Sequence, residues 1–384
     1  MGMRIPNPYA HGNPLRYAIV PILLIAIALG FIFLKGIPSG IDLRGGLLLT
    51  IQTDGAVDVE AVKANLAPLS AEVSVRKFQG PGGGGIEIEL VPSPALEQAQ
   101  NKLRDARQME RELLAADSRV SQLEASTDAD APVKLAEAIS TRDTRAKALQ
   151  DQVQGILTVV EGNQTLSADA YAALGIAEKA VDTARGQYRD KILAAVDEVT
   201  TVKGYTSREI GSSLSKFFFS KTREIVTYAF ILAAIVVFVV FRAWAPSLAV
   251  IFGASADIIM TLGGMSLLGI PLSLASVAAI LMLIGLSLDT DVMLTMRILK
   301  RTEGTARERA FEAMKTGVLM NLTTIVAFGV LTLIALWLGI STYWEIGTVV
   351  VLGGIFDFFA TWMFNAPLVL RVAEKREKGV SSVL

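Results

Sequence analysis

Long uncharged apolar runs alternate with charged stretches along this chain. Residues 17–34 (YAIVPILLIAIALGFIFL) carry no charge, and a helix of that length crosses about 30 Å of hydrocarbon. Five more such runs crowd the C-terminal half, at about 225–241, 246–267, 272–296, 317–338 and 344–367. A cleaved leader has a shorter apolar region followed by small residues. Here Lys35, Gly36, Ile37 and Pro38 follow, so the first run reads as a retained anchor. The pattern predicts an α-helical polytopic membrane protein with six transmembrane helices. Its parts are a tail at 1–16, a first transmembrane helix at 17–35, a five-helix bundle at 221–370 and a tail at 371–384.

The remaining stretch, 36–220, reads as an α+β domain carrying a helical hairpin insertion at about 93–196. It opens with GIDLRGGLLLTIQTDG, where Gly45 and Gly46 allow tight backbone and LLLTIQ is a strand candidate. A helix from Val57 to Leu69 follows, then the alternating EVSVRKFQ, the glycine loop GPGGGG at 80–85 and the alternating IEIELV. That loop lacks a GK[ST] ending and joins two strands, so it reads as a hairpin turn and not a phosphate cradle. Between 95 and 124, Leu96, Ala99, Leu103, Ala106, Met109, Leu113, Ala116, Val120 and Leu123 step by three and four along one helix face. Leu135, Ile139, Ala146, Leu149, Val153, Ile156 and Val160 repeat the step beyond the break STDADAP, and a third helix is expected near 167–196. Such an arm is either a structural spacer or a surface for a partner chain. EVTTVKGY returns the chain to the sheet, and SREIGSSLSKFFFSKTREI is expected to be an amphipathic helix entering the second span.

Composition fits this reading, because 52% of the 384 residues are hydrophobic and the mean hydropathy is +0.48, too apolar for an ordinary soluble domain. Net charge is only -1 and no basic domain stands out, which argues against a nucleic-acid partner. There is no cysteine, and one histidine, His11, so disulfides, thiolate metal sites and histidine-based catalysis are set aside, and neither a metal nor a cofactor is expected. Lys and Arg fix the direction. Arg4, Arg16, Arg242, Arg297, Lys300, Arg301, Arg307, Arg309, Lys315, Arg371, Lys375, Arg376 and Lys378 all fall at the same ends of the spans. The opposite short loops, near 268–271 and 339–343, contain neither type. The positive-inside rule therefore places both termini in the cytoplasm and residues 36–220 outside a plasma membrane.

Several polar residues interrupt the apolar spans. An Asp near a helix centre costs about 2.5–3.5 kcal/mol on insertion scales, which cancels several apolar residues. Yet Asp257 lies in the third span, Asp289 and Asp291 in the fourth, Asp357 in the sixth, and Asn321, Thr323 and Thr324 in the fifth. Such groups normally face a bundle interior and mark ion or proton paths. At 1.5 Å per residue, Asp257 is about 16 Å, Asp289 about 11 Å and Asp357 about 15 Å from the cytoplasmic ends of their spans. Three carboxylates from three helices are thus expected in one layer. Asp289 and Asp291 are about 200° apart on their helix, so only one of them faces the shared interior; the pattern does not choose which. Arg297, about 12 Å along the axis from Asp289, is either a positive-inside anchor or a partner for an acid on a neighbouring helix, and position alone favours the anchor. The acids could carry protons or sodium.

One span, a domain opening with a DLRGG-like motif, then five spans including ASADIIMTLGGMSLLGIPLSLASVAAILMLIGLSLDTDVMLTMRILKR, resembles the SecF family, membrane subunits that work with SecD in protein export. The resemblance covers the first span, GIDLRGG and most of 205–372. It implies a bundle of the kind found in SecDF and the resistance-nodulation-division transporters, with ion flow helping to draw preproteins from the Sec channel. By motif, Asp257 matches the acid of the family's third span, and Arg297 the arginine closing its fourth, which favours a functional role for Arg297. Asp289 falls where SecD carries its own acid. SLDTD and DFFATWMFNA look most like archaeal members. Asp42, Arg44, Gly45 and Gly46 form the opening motif, although Leu43 and Arg44 resemble SecD more than the usual SecF form. No family role transfers to the helical insertion.

The resulting expectation is an export accessory and not an enzyme, using Asp257, Asp289, Asp291 and Arg297 for ion coupling, with Asn321, Thr323, Thr324 and Asp357 in support. Its expected partners are a SecD-like subunit, the Sec translocation channel, an unfolded preprotein and membrane lipids. The rival expectations are an ion-coupled exporter subunit for a small molecule or lipid, and a membrane-anchored scaffold.

Overall fold

The computed structural model describes residues 7–10, 12–53, 57–70, 72–80, 83–91, 93–127, 130–161 and 166–381. Arg4, His11, the centre of the glycine loop and part of STDADAP lie outside these residues. The chain divides into two compact units, one holding the residues up to Leu43 and from Phe217 onward, the other most of the stretch from Arg44 to Lys216.

The second unit is built on a sheet whose strands among the described residues are β1 (Gly46–Thr53), β2 (Val73–Gly80), β3 (Gly83–Leu90) and β4 (Val202–Ile210), in the order β2-β3-β1-β4. β1 pairs antiparallel with β3 and with β4. Alternation in β1 and β3 sends Leu47, Leu49, Ile51, Ile86, Ile88 and Leu90 to one face, where Val62 and Leu66 of a short helix, Val59–Leu66, cover them. Each fully buried side chain of this kind contributes about 1.5–3 kcal/mol. The Asp58 carboxylate caps that helix by accepting the Glu60 and Ala61 N–H groups. Gly45 and Gly46, with φ of 83° and 152°, start β1 in backbone that other residues rarely adopt.

The expected insertion consists of Pro94–Glu124, Ala131–Val159 and Ala170–Asp197. The first two form the hairpin, and the third completes a three-helix bundle around Leu103, Leu113, Leu149, Val153, Ile156, Leu174 and Val181. The far end of that third helix also supplies Ile192 and Val196 to the core over the sheet. One expectation fails: Ser207, Arg208, Glu209 and Ile210 are the end of β4, not the start of a helix. Their backbones pair with Leu49, Leu48, Leu47 and Gly46 of β1, and this ladder outweighs their helical pattern.

In the other unit, six helices among the described residues are long and apolar enough to cross a membrane. In chain order they are α1 (Ile19–Lys35), which follows a 3₁₀ turn at Pro14–Ala18, α2 (Ser212–Phe241, which begins in the other unit), α3 (Trp244–Leu268), α4 (Leu274–Lys300) and α5 (Ala306–Leu338). The sixth is α6 (Ser341–Phe359), which runs through a π-helical turn at Ala360–Asn365 into α7 (Ala366–Ser381). α3, α4 and the sixth helix are the most enclosed, whereas α1, α2 and α5 leave most of their apolar surface outside. Close approach depends on missing side chains. Gly353 lies against Leu283, Gly317 against Trp362, and Gly263 against Ala28 of α1. α7 packs Val369, Leu370 and Ala373 on Ala306, Ala310 and Ala313 of α5, with Tyr9 in the same cluster donating to the Trp362 carbonyl at 2.7 Å.

Candidate functional site

Asp257 of α3, Asp291 of α4 and Asp357 of α6 are buried together, with 1%, 1% and 5% exposure. The Thr361 hydroxyl bridges Asp291 and Asp357, and Asp257 and Asp357 line one cleft, so the three share one layer. Asp289 corrects the expected membership of that layer. It is exposed, because α4 turns the Ser287 and Asp291 face toward its neighbours and a residue two places away points across the helix. Asp289 instead lines the mouth of a cleft of about 60 Å³ whose walls include Asp257, Ser287, Thr290, Asn321, Thr324 and Asp357.

Hydrogen bonds fix the carboxylates. Asn321 Nδ2 of α5 donates to Asp357 Oδ2 at 3.1 Å and to the Gly354 carbonyl at 2.9 Å. The Thr361 hydroxyl lies 2.9 Å from Asp291 Oδ1 and 3.2 Å from Asp357 Oδ1. Asp257 Oδ1 and Asp291 Oδ2 are enclosed without a hydrogen-bond partner among the described residues. A hydroxyl has one proton to give. Its two carboxylate contacts are both favourable when one carboxyl carries a proton and donates, so the arrangement suits proton sharing between α4 and α6. Among the described residues, no group of three acidic or histidine side chains is placed to hold a metal ion.

Thr361 and Asn365 were not among the expected site residues. Both are fully buried in the π-helical turn, a local widening that often marks functional sites in helices. The available signal was the spacing Asp357, Thr361, Asn365, three polar residues four apart in an apolar helix. Gly253 was also missed. A Cβ there would come within 2.8 Å of Asp291 Oδ2 and 3.5 Å of Asn365 Cβ, so the absence of a side chain gives the carboxylate its place. Gly253→Ala is expected to displace the Asp291 carboxylate and lower function several-fold, because the obstructed atom is a side-chain end and not backbone. Its loss of stability should sit at the low end of the about 1–3 kcal/mol that overpacking an interior costs, read as a small drop of melting temperature in detergent.

Other expected residues lie elsewhere. Arg297 pairs with no acid of the layer: it donates to the Glu312 carbonyl at 3.2 Å and the Thr316 hydroxyl at 2.8 Å. It therefore ties the end of α4 to the first turns of α5. Thr323 is exposed and donates to its own helix at the Met320 carbonyl, 2.7 Å away. Thr324 makes the same kind of bond at 3.2 Å while lining the cleft. In the opening motif, Asp42 Oδ2 accepts from the Leu274 N–H at 3.3 Å, and Arg44 pairs with Glu72.

Comparison with known proteins adds sequence kinship. A family described as protein export membrane protein SecD/SecF, C-terminal, matches residues 190–375. The chain is similar to the protein-export membrane protein SecF of Methanothermobacter thermautotrophicus, 42% identical over 188 residues, which cover 48% of this chain and 65% of that one. It thus spans just under two thirds of that relative's length. SecF of Methanopyrus kandleri is 32% identical over 223 residues, 55% of this chain and 80% of its own. Among solved structures, SecDF from Thermus thermophilus, a translocon-associated membrane protein, aligns over 98% of this chain and 40% of its own, with a TM-score of 0.59 and 18% identity. At that identity the likeness is one of fold.

Proposed function

Because the chain belongs to the SecF family of protein-export membrane proteins, we propose that it is an accessory subunit of Sec protein export, paired with a SecD-like chain and driven by protons. The observation that carries the proton reading is the Thr361 hydroxyl set between the Asp291 and Asp357 carboxylates in a buried layer. Protons enter by way of the cleft beside Asp289 and move among Asp257, Asp291 and Asp357 as α3, α4 and α6 shift. Intramembrane acids of this kind normally serve ion pathways. Each proton crossing supplies about 2.3 kcal/mol per 100 mV and about 1.4 kcal/mol per pH unit.

The termini face the cytoplasm and the sheet-bearing unit lies outside. Supporting this, Arg16, Arg242, Arg301, Arg307, Arg309 and Arg371 all fall at one set of helix ends. The client is an unfolded preprotein leaving the Sec channel. Depletion of this chain is expected to leave preproteins unexported, and the tagged chain should co-purify with a SecD-like subunit. Normal preprotein export together with accumulation of a drug or lipid would reject this function in favour of a small-molecule exporter.

A further inference from the structure

The acids of the layer lie well along α4 and α6, while the N-terminal ends of these two helices meet in a cluster that the ion path does not use. Ser273 caps α4 in a box with Ser276, and its hydroxyl donates to Glu345 Oε2 of α6 at 2.5 Å. Asp42 Oδ2 accepts the Leu274 N–H at 3.3 Å. Two buried carboxylates, at 8% and 6% exposure, thus stand at the positive end of α4, where the helix dipole favours them.

The main chain is clasped as well. The Leu272 N–H donates to the Pro38 carbonyl at 2.6 Å and the Gly40 N–H to the Leu272 carbonyl at 2.9 Å, a parallel bridge centred on Ser39 and Leu272. A Cβ at Gly40 would come within 3.1 Å of Ser273 Cβ, so residues 38–43, a strap across the start of α4, sit as close as glycine permits. Asp291 is about 26 Å along α4 from Leu274, and Asp357 about 18 Å along α6 from Glu345. Both helices therefore run from the acid layer to this clasp, and the strap's next residue is Arg44, the first of the other unit.

We propose that residues 38–43, held by Asp42, Ser273 and Glu345, form a transmission joint that stays closed while α4 and α6 move and passes their displacement to the chain beyond Arg44. Asp42 and Glu345 act as positioning residues in it. This rests on the reading of the protein as a proton-driven export subunit.

The test uses the complex with its SecD-like partner in vesicles, reading proton flux and preprotein translocation together. The chain has no cysteine, so Ser39→Cys with Leu272→Cys introduces its only thiols. Asp42→Ala is expected to lower translocation at least about five-fold while proton flux persists. Oxidising the cysteine pair in that variant should restore translocation, and reduction should remove it again. In the otherwise unmodified protein the crosslink should leave translocation intact. Glu345→Gln should show the same uncoupling and rescue, which keeps the test decisive if Asp42→Ala does not fold. A crosslink that blocks translocation in the unmodified background overturns the proposal, because the joint would then have to open. Loss of flux along with translocation in the Asp42 and Glu345 variants, or failure of the crosslink to rescue either, also overturns it. Absence of proton flux in the unmodified complex would sink the proton-driven reading and this joint with it.

Discussion

Asp357→Asn is expected to cut gradient-driven export at least about ten-fold while the protein still inserts and binds its partner. The asparagine keeps the shape of the side chain and can still meet Asn321 and Thr361, so packing is preserved. What it loses is the ability to take up and release a proton. A step that no longer moves one charge forfeits about 2.3 kcal/mol per 100 mV, roughly fifty-fold in an equilibrium, and the ten-fold figure leaves room for the remaining acids to act in part. Asp291→Asn should behave in the same way, because Thr361 joins the two carboxylates. Asp289→Asn should cost less, since that side chain stands at the mouth of the cleft and not in the layer. Quantifying exported and unexported preprotein in cells carrying each variant checks the order. An Asp289 effect larger than that of Asp357 would contradict the assignment.

Gly263→Val is expected to have the largest effect on stability, about 3 kcal/mol or more. A side chain at this position would overlap Ala28 Cβ and the Ala28 backbone. No rotamer change relieves that, because the obstructing atoms belong largely to the main chain of α1. Overpacking of an interior ordinarily costs about 1–3 kcal/mol, and a contact against backbone belongs at or above the top of that range. α1 must move away from α3, which also loosens Leu24 and Ile25 from the cluster of Ala256, Met260 and Ala360. Gly285 provides the control, being exposed with nothing within 4 Å of its Cβ position, so Gly285→Ala should melt like the parent. Thermal unfolding in detergent distinguishes the two, and equal melting temperatures would contradict the close α1–α3 approach.

The six spans were legible because a membrane imposes the same rule on every one, a long run of apolar residues, and that rule acts locally. The acids were legible as interruptions of those runs. Which of Asp289 and Asp291 turns inward was not legible, because helix periodicity separates the two but only the placement of α3 and α6 chooses between them. Thr361 and Asn365 left a signal in their polar spacing from Asp357, but the π-helical turn that holds them leaves no trace in apolar spacing. Arg297 shows the limit of reading a partner from position and kinship. Its bonds go to a backbone carbonyl and a threonine hydroxyl on α5, partners that no sequence pattern announces. Ser207–Ile210 show the same limit in the sheet, where the free edge of β1 decides the conformation. The motif residue Asp42 was recognisable only by kinship, and its contact with Leu274 joins residues 232 positions apart.

If protons passing through the Asp257, Asp291 and Asp357 layer drive export, flux and translocation must fail together when the layer loses an acid. The most direct measurement is simultaneous recording of proton flux and preprotein translocation in vesicles bearing the complex, with the parent chain and with Asp357→Asn. The parent is expected to show both, with translocation responding to the gradient, whereas Asp357→Asn should show neither gradient-dependent flux nor gradient-dependent translocation. Full gradient-dependent translocation in the Asp357→Asn complex would contradict it.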